Sequence, residues 1–235
     1  MSKSIAIKDT SQFSKELIIS FKIGLFFSIP AAFVFINFSD LLIKVLFERG
    51  EFGFRETIQT SHALLAYAFG VPAFIMLKSC QPAFLAEGNT KTPMYVGLVI
   101  LILNIILSFS LMFFLKHAGI ALATSIVSWI GTIIYITLLI KAKKITKPKF
   151  SLKEEDSNLF SVILYGLKIS LISALMIFCM KVVQQILEIN NINDTFTLII
   201  LCIFGFLLYI LTSKMFKYIP QELYQFLSLK FKKAK

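Results

Sequence analysis

The chain has 235 residues, of which 57% are hydrophobic, and its mean hydropathy is +0.81. Because soluble domains are about 45–50% apolar, this composition excludes an ordinary soluble enzyme and a disordered chain. The formal net charge of +11 would suit a nucleic-acid partner, but the lysines lie mostly in the segments between apolar runs. We therefore expect an all-α integral membrane protein without a nucleic-acid partner.

Six apolar runs are long enough to cross a bilayer, which takes about 20 helical residues. They cover residues 17–38, 58–85, 93–115, 119–140, 159–187 and 196–216. The N-terminal segment lacks the short apolar core and small-residue cleavage site of a signal peptide, so we expect the first run to act also as the insertion signal.

The distribution of basic residues predicts the topology. Seventeen of the 24 Lys and Arg residues lie in the N-terminal arm, the second and fourth connections and the C-terminal end, whereas four lie in the first and third connections. By the positive-inside rule, both termini are expected to be cytoplasmic.

Composition also divides the chain into five parts. We expect a cytoplasmic arm over residues 1–16, a four-helix part over 17–140, a basic cytoplasmic linker over 141–158, two further helices over 159–216 and a basic interfacial tail over 217–235. The linker either attracts the anionic lipid headgroups of the inner leaflet or only sets the topology.

The first connection contains an amphipathic segment, residues 39–47, with apolar residues on one helical face and charged residues on another. It predicts a short helix in the outer membrane interface, and the alternative is that it extends the first span.

The connection between the second and third spans is a polar turn. Glu87, Gly88 and Asn89 are typical turn residues, Thr92 is a candidate helix cap, and Pro93 suits a first helical position, where no N–H donor is needed. We therefore expect the third helix to begin at Pro93.

Three residues are candidate hinges in the first two spans. Pro30 lies within the first span, and Pro72 lies within the second, two residues after Gly70. Proline interrupts the hydrogen bonds of a helix, so each position predicts either a hinge or a static bend.

Polar residues in the third and fourth spans form a second candidate site. Asn104 and Ser108 are four residues apart and share a helical face, and the fourth span carries Thr124, Ser125 and Thr132. They indicate either a hydrated cavity with a weak cation site or ordinary packing between membrane helices.

The sequence contains no nucleotide-binding, hydrolase or zinc motif. The three cysteines lie in apolar runs, and the two histidines are far apart without an evident acidic partner. We therefore expect no metal, no cofactor and no enzymatic activity.

Four segments together carry a family resemblance, and they follow one another in the chain. They are GLFFSIPAAF, LLIKVLFERGEF, LLAYAFGVPAFIMLKSCQPAFLAEGNTKTP and LKHAGIALATSI. They resemble the C-terminal half of the MurJ (MviN) family, the lipid II flippases of the multidrug/oligosaccharidyl-lipid/polysaccharide exporter superfamily. The resemblance implies that the six spans correspond to helices 9 to 14 of a fourteen-helix flippase, with the last two helices added to the C-terminal transporter lobe.

The resemblance also implies a function. Such a protein would translocate lipid II, the undecaprenyl-linked peptidoglycan precursor, across the bacterial inner membrane for cell-wall synthesis. A central cationic cavity would receive the diphosphate, and a groove involving the last two helices would hold the lipid tail. Lys78 lies within an apolar span, and with Arg49 and Arg55 it forms the expected set of cavity residues. The alternative for Lys78 is a structural role, in packing between lobes or in snorkelling towards the interface.

Two departures from the family pattern qualify that expectation. The arginine-rich part of the family's cavity comes largely from an N-terminal lobe whose positions are not in this sequence, so we expect a partner lobe to be needed. The resemblance also implies that some relatives hold a sodium ion between the helices that match the third and fourth spans. The matching polar residues here are Asn104, Ser108 and Thr124. Ser108 stands where an acid would bind the ion, so we expect weak or no sodium binding.

Two alternatives remain open at this point. The chain could be half of an exporter for another polyprenyl-linked saccharide. It could instead be a non-transporting remnant or a membrane scaffold.

Overall fold

The computed structural model describes residues 10–86, 88–142 and 158–220. These parts of the chain form seven helices: α1 (Thr10–Phe47), α2 (Phe54–Ala68), α3 (Val71–Leu85), α4 (Lys91–Leu115), α5 (His117–Lys141), α6 (Leu159–Ile189) and α7 (Asp194–Met215). Within the same ranges, β pairing is limited to an isolated bridge between Arg49 and Phe52.

The helices confirm the predicted all-α membrane fold. Five of them, α1 and α4 to α7, are long and apolar enough to cross a bilayer. Helices α2 and α3 pass the same test only together, as one span bent by 47°. Counting that pair once gives the six spans expected from the apolar runs.

Helix α1 changes direction at the end of the first apolar run. Phe38 has non-helical backbone angles (φ −127°, ψ 20°), and two helical segments meet there. Residues 39–47 therefore form a segment with its own orientation, as the amphipathic pattern predicts for a short interfacial helix.

Helices α1 and α5 organise the packing. Helix α1 contacts α2, α3, α6 and α7, and it buries Leu17, Phe21 and Phe26. Helix α5 packs on α2, α3 and α4 and buries Tyr135 and Leu139. Because lipid is as apolar as these side chains, close packing and hydrogen bonds between helices hold such a bundle together.

Helix α4 lies at the edge of the bundle. It packs mainly on α5 and buries only Val96 among its own residues. The turn into α5 is tight, because a Cβ on Gly119 would stand 2.3 Å from the Leu111 carbonyl oxygen. The short connection therefore makes α4 and α5 an antiparallel pair, as their spacing predicts.

The start of α4 differs from the sequence prediction. The helix begins at Lys91 rather than at Pro93, and the side chain of Asn89 makes the terminal contacts. Its Oδ1 accepts a hydrogen bond from the Thr92 amide at 3.1 Å, and its Nδ2 donates to Thr92 Oγ1 at 2.9 Å. Pro93 still lies in the first turn, where its missing N–H costs no helical hydrogen bond.

Three predicted segments fall mostly outside the described residues. They are the arm over residues 1–16, the basic linker over 141–158 and the interfacial tail over 217–235. The five-part division of the chain therefore stays a prediction.

Candidate functional site

Lys78 lies on the open face of α3. Its side chain is exposed, and its Nζ stands 5.4 Å from the centre of the Phe74 ring, one turn earlier. The opposite face of the same helix is buried through Ala73, Leu77 and Cys80. Within the described ranges Lys78 has no ion-pair partner. A cation inside an apolar span is costly against lipid, so this face suits water or a polar partner.

The other two predicted cavity residues lie at the far end of the bent span. Arg49 donates from its guanidinium to the carbonyl oxygens of Leu46 at 3.1 Å and Val45 at 3.4 Å, which satisfies the last turn of α1. Arg55 is exposed in the first turn of α2. The fold therefore does not bring either arginine next to Lys78.

The break between α2 and α3 is braced by three side chains of α5. Ser125 Oγ donates to the Ala66 carbonyl at 2.6 Å and approaches that of Tyr67 at 3.3 Å. These carbonyls lie in the last turn of α2, where carbonyl oxygens have no regular donor four residues later in the helix. The Ser125 hydroxyl supplies a donor there.

The brace continues along α5 at helical spacing. Trp129 Nε1 donates to the Phe69 carbonyl at 3.0 Å, and Thr132 Oγ1 donates to that of Ala73 at 2.8 Å. The three donors are four and three residues apart, so they share one face of α5. We call Ser125, Trp129 and Thr132 the α5 brace.

Gly70 makes this close contact possible. A Cβ placed on it would stand 2.5 Å from Ser125 Oγ and 2.6 Å from Ser125 Cα. Ser125 Cα belongs to the backbone and cannot turn away, and Ser125 Oγ could do so only by losing its hydrogen bond to the Ala66 carbonyl. The predicted hinge residues Gly70 and Pro72 thus lie where α3 begins, directly against α5.

Pro30 is braced in a similar way by α7. A proline has no N–H, so the carbonyl four residues earlier, that of Phe26, loses its helical partner. The hydroxyl of Tyr209 donates to that carbonyl at 2.6 Å, and Tyr209 is buried. The bond joins the first span to the last one.

A mostly apolar groove lies beside this contact, between α1, α6 and α7. Its volume is about 300 Å³, and Pro30 and Tyr209 are among its lining residues. Phe27, Met176 and Phe206 also line it. The groove is of a size and character to hold a hydrocarbon chain.

One ion pair fastens the same helices at the end where α7 begins. Lys44 Nζ lies 2.6 Å from Asp194 Oδ2, and both side chains are about half exposed. Because the pair is open to solvent, it adds at most about 1 kcal/mol to stability.

The three predicted cation-site residues do come together. Ser108 Oγ donates to Asn104 Oδ1 at 2.8 Å, and Asn104 Nδ2 lies 3.4 Å from Thr124 Oγ1. Thr124 also donates to the Ile120 carbonyl at 3.1 Å. We call Asn104, Ser108 and Thr124 the polar triad; every member is neutral. In the described part of the chain, no group of three or more His, Cys, Asp and Glu side chains could hold a metal ion.

The roles of the α5 brace and of Tyr209 were missed by sequence reasoning. Ser125 and Thr132 were noted there only as polar residues that either line a cavity or pack. Proline could have pointed to the need for a donor, because it always leaves a carbonyl without its partner. It could not have pointed to the helix that supplies that donor.

Comparison with known proteins gives a consistent result. The family model described as "Lipid II flippase MurJ" matches residues 1–190. The "Probable lipid II flippase MurJ" of Rickettsia prowazekii is 44% identical over 108 residues, which are 46% of this chain and 21% of that protein. The "Lipid II flippase MurJ" of Thermosipho africanus is 31% identical over 211 residues, which are 88% of this chain and 38% of that protein.

A solved structure agrees with both relatives. The structure titled "Lipid II flippase MurJ, inward closed conformation" is 30% identical, with a TM-score of 0.69. The match covers 92% of this chain and 41% of that one, so the chain spans about two fifths or less of the proteins it matches. Together with the apolar helices, these findings indicate a multi-pass protein of the inner membrane, and the chain belongs to the MurJ family of lipid II flippases.

Proposed function

We propose that this chain is the C-terminal part of a lipid II flippase, which moves the undecaprenyl-linked peptidoglycan precursor across the inner membrane. The activity and the substrate are those that the names of its relatives state. Because the chain spans about two fifths or less of them, the proposed activity requires an N-terminal lobe as its partner.

The observation that carries the proposal is the position of Lys78. It is an exposed cation on a bent, otherwise apolar span, and it has no acidic partner within the described ranges. Attraction between a cation and a diphosphate grows as water is excluded. We propose that the Lys78 face of α3 meets an N-terminal lobe and contacts the diphosphate there. Arg49 and Arg55 would act only at the distant end of the same span.

The groove between α1, α6 and α7 supports the same proposal. A polyprenyl tail needs an apolar surface, and this groove offers about 300 Å³ with almost no polar lining. We propose that it holds the tail while the diphosphate lies near α3.

The polar triad has no charge to offer a sodium ion. Its members already satisfy one another by hydrogen bonds, and Ser108 contributes a hydroxyl rather than a carboxylate. Since hard cations favour carboxylate oxygens, we propose that this chain binds sodium weakly or not at all at this position.

The proposed topology has both termini in the cytoplasm. The excess of Lys and Arg in the terminal segments and in the second and fourth connections supports it. The basic linker over residues 141–158 would then face the anionic lipids of the inner leaflet.

A chimera tests the proposed function. The C-terminal part of the Rickettsia prowazekii relative would be replaced by this chain, and flipping of fluorescent lipid II would be measured in vesicles. We expect flipping by the chimera and its loss in a Lys78→Ala variant. Lys181→Ala is the matched control, because Lys181 is an exposed lysine in another span, and it should leave flipping unchanged.

The same assay separates the alternatives. Flipping of another polyprenyl-linked saccharide but not of lipid II would assign the chain to a different exporter. A chimera that inserts normally but flips neither lipid would favour a remnant or scaffold. Normal flipping by the Lys78→Ala chimera would contradict the role proposed for Lys78.

A further inference from the structure

A second cavity lies between α2 and the turn from α4 to α5. Its volume is about 540 Å³. Phe69 directly after α2, Phe114 from the end of α4 and Leu122 from α5 are among its lining residues. The two polar residues in the lining are His62 and Lys116, and the others are apolar.

The cavity extends inward from one end of the bundle. Along α2, His62 and Phe69 are seven residues apart, which is two helical turns or about 10 Å. Lys116 lies in the turn, at the end of the bundle where the Lys44–Asp194 pair also lies by topology. The topology proposed above places this end at the outer leaflet.

The two basic side chains are available to a ligand. Both are exposed, and within the described ranges neither makes a salt bridge or a side-chain hydrogen bond. The backbone amide of Lys116 is satisfied by the Met112 carbonyl at 2.9 Å, so the turn holds its position without using its side chain. A positive charge and a ring N–H donor thus stand above an apolar floor.

We propose that this cavity binds a glycerophospholipid, with the headgroup phosphate at Lys116 and His62 and one acyl chain along Phe69 and Phe114. Phosphate forms charge-assisted hydrogen bonds with such donors, and basic pockets between membrane helices bind lipid headgroups. A soluble phosphate would leave the apolar floor unused. The volume lies within the range of about 300–1,000 Å³ that is usual for ligand pockets.

The site is separate from the groove proposed for the transported lipid. The two cavities share no lining residue and no helix. The proposal therefore does not depend on transport by this chain. Phe69, which lines the cavity, also carries the carbonyl to which Trp129 donates. A bound acyl chain would therefore lie directly against the break between α2 and α3.

Photolabelling of the 235-residue chain tests the proposal. The chain would be placed in vesicles of phosphatidylethanolamine with phosphatidylglycerol as the minor lipid, a fraction of the latter carrying a diazirine in its acyl chain. Adducts would be mapped by peptide mass spectrometry. We expect them to concentrate in residues 62–69 and 114–122.

Substitutions test whether His62 and Lys116 hold the headgroup. In the double variant His62→Ala/Lys116→Ala, we expect this labelling to fall about tenfold, because at least one charge-assisted hydrogen bond is removed. Lys141→Ala, an exposed lysine at the other end of α5, should retain it. Ala118→Phe, which fills the cavity without removing a charge, should also reduce labelling, and circular dichroism would check that each variant keeps its helices.

Three outcomes would overturn the proposal. The first is equal labelling of the double variant and the unmodified chain. The second is labelling spread evenly over the exposed face of α4 near residues 98–109. The third is displacement of the probe by undecaprenyl diphosphate but not by unlabelled phosphatidylglycerol, which would assign the cavity to the transported lipid.

Discussion

Tyr209 shows how one side chain compensates for a proline in a membrane helix. Pro30 deprives the Phe26 carbonyl of its donor, and no water is at hand inside a bilayer to replace it. Tyr209 donates its hydroxyl at 2.6 Å across 183 residues of sequence. The proline is visible in the sequence, but the fold alone decides which distant hydroxyl reaches the freed carbonyl.

The Tyr209→Phe substitution tests this compensation. It keeps the buried ring and removes the donor, so we expect a loss of about 1 kcal/mol in the free energy of unfolding, within the usual range for hydrogen bonds between membrane helices. Reversible unfolding in mixed micelles would measure it. Tyr67→Phe is the control, because Tyr67 is exposed and its hydroxyl has no hydrogen-bond partner within the described ranges. Equal losses in both variants would contradict the account.

Ser108 decides the chemistry of the polar triad. The sequence placed Asn104 and Ser108 on one face, and the fold brings Thr124 to them. Helical spacing predicts the first relation, whereas the second depends on the register of α4 against α5. That register is set by the tight turn at Gly119, which spacing alone does not define.

The Ser108→Asp substitution should create sodium dependence. A carboxylate beside Asn104 and Thr124 would be unpaired without a cation, so sodium should stabilise the variant by about 2.7 kcal/mol at a hundredfold excess over its dissociation constant. Thermal unfolding in sodium and in choline chloride would measure the difference. The unmodified chain should show none, and neither should Ser110→Asp, which places the acid at an exposed position where the native hydroxyl donates to the Ile106 carbonyl. Sodium dependence of the unmodified chain would contradict the interpretation.

At the scale of the helices, the bent α2–α3 span is the feature that sequence reasoning described only in part. Pro72 and Gly70 predict an interruption, and the bend of 47° confirms it. Whether it is a hinge or a static bend depends on the neighbours. The α5 brace satisfies carbonyls on both sides of the break, which favours a joint that holds α2, α3 and α5 together as one body.

The Gly70→Ala substitution tests that joint. A methyl group would stand 2.6 Å from Ser125 Cα, so the helices must separate, and we expect a destabilisation of about 1–3 kcal/mol. Gly97→Ala in α4 is a matched control, because a Cβ there meets nothing within 4 Å and alanine favours a helix by up to about 1 kcal/mol. The comparison uses unfolding free energies measured under identical conditions. If the two alanines had the same effect, the close packing of α2–α3 on α5 would not be supported.

At the scale of the whole molecule, α3 keeps an exposed face that the proposed function assigns to a partner lobe. The chain matches 41% of the solved flippase, and its α3 turns Phe74 and Lys78 outward. Composition and apolar runs predicted the six spans because their lengths follow from bilayer thickness. The same signals carry no information on which outward face meets lipid and which meets a partner lobe, since both faces are apolar in composition.

The central claim is that the Lys78 face of α3 adjoins water rather than lipid. Cysteine accessibility tests it most directly, with the chain paired to the N-terminal part of a relative and its three native cysteines replaced. We predict that Lys78→Cys reacts with a membrane-impermeant thiol reagent, whereas Phe109→Cys, on the exposed apolar face of α4, does not. Protection of both positions, or equal reaction at both, would contradict the account.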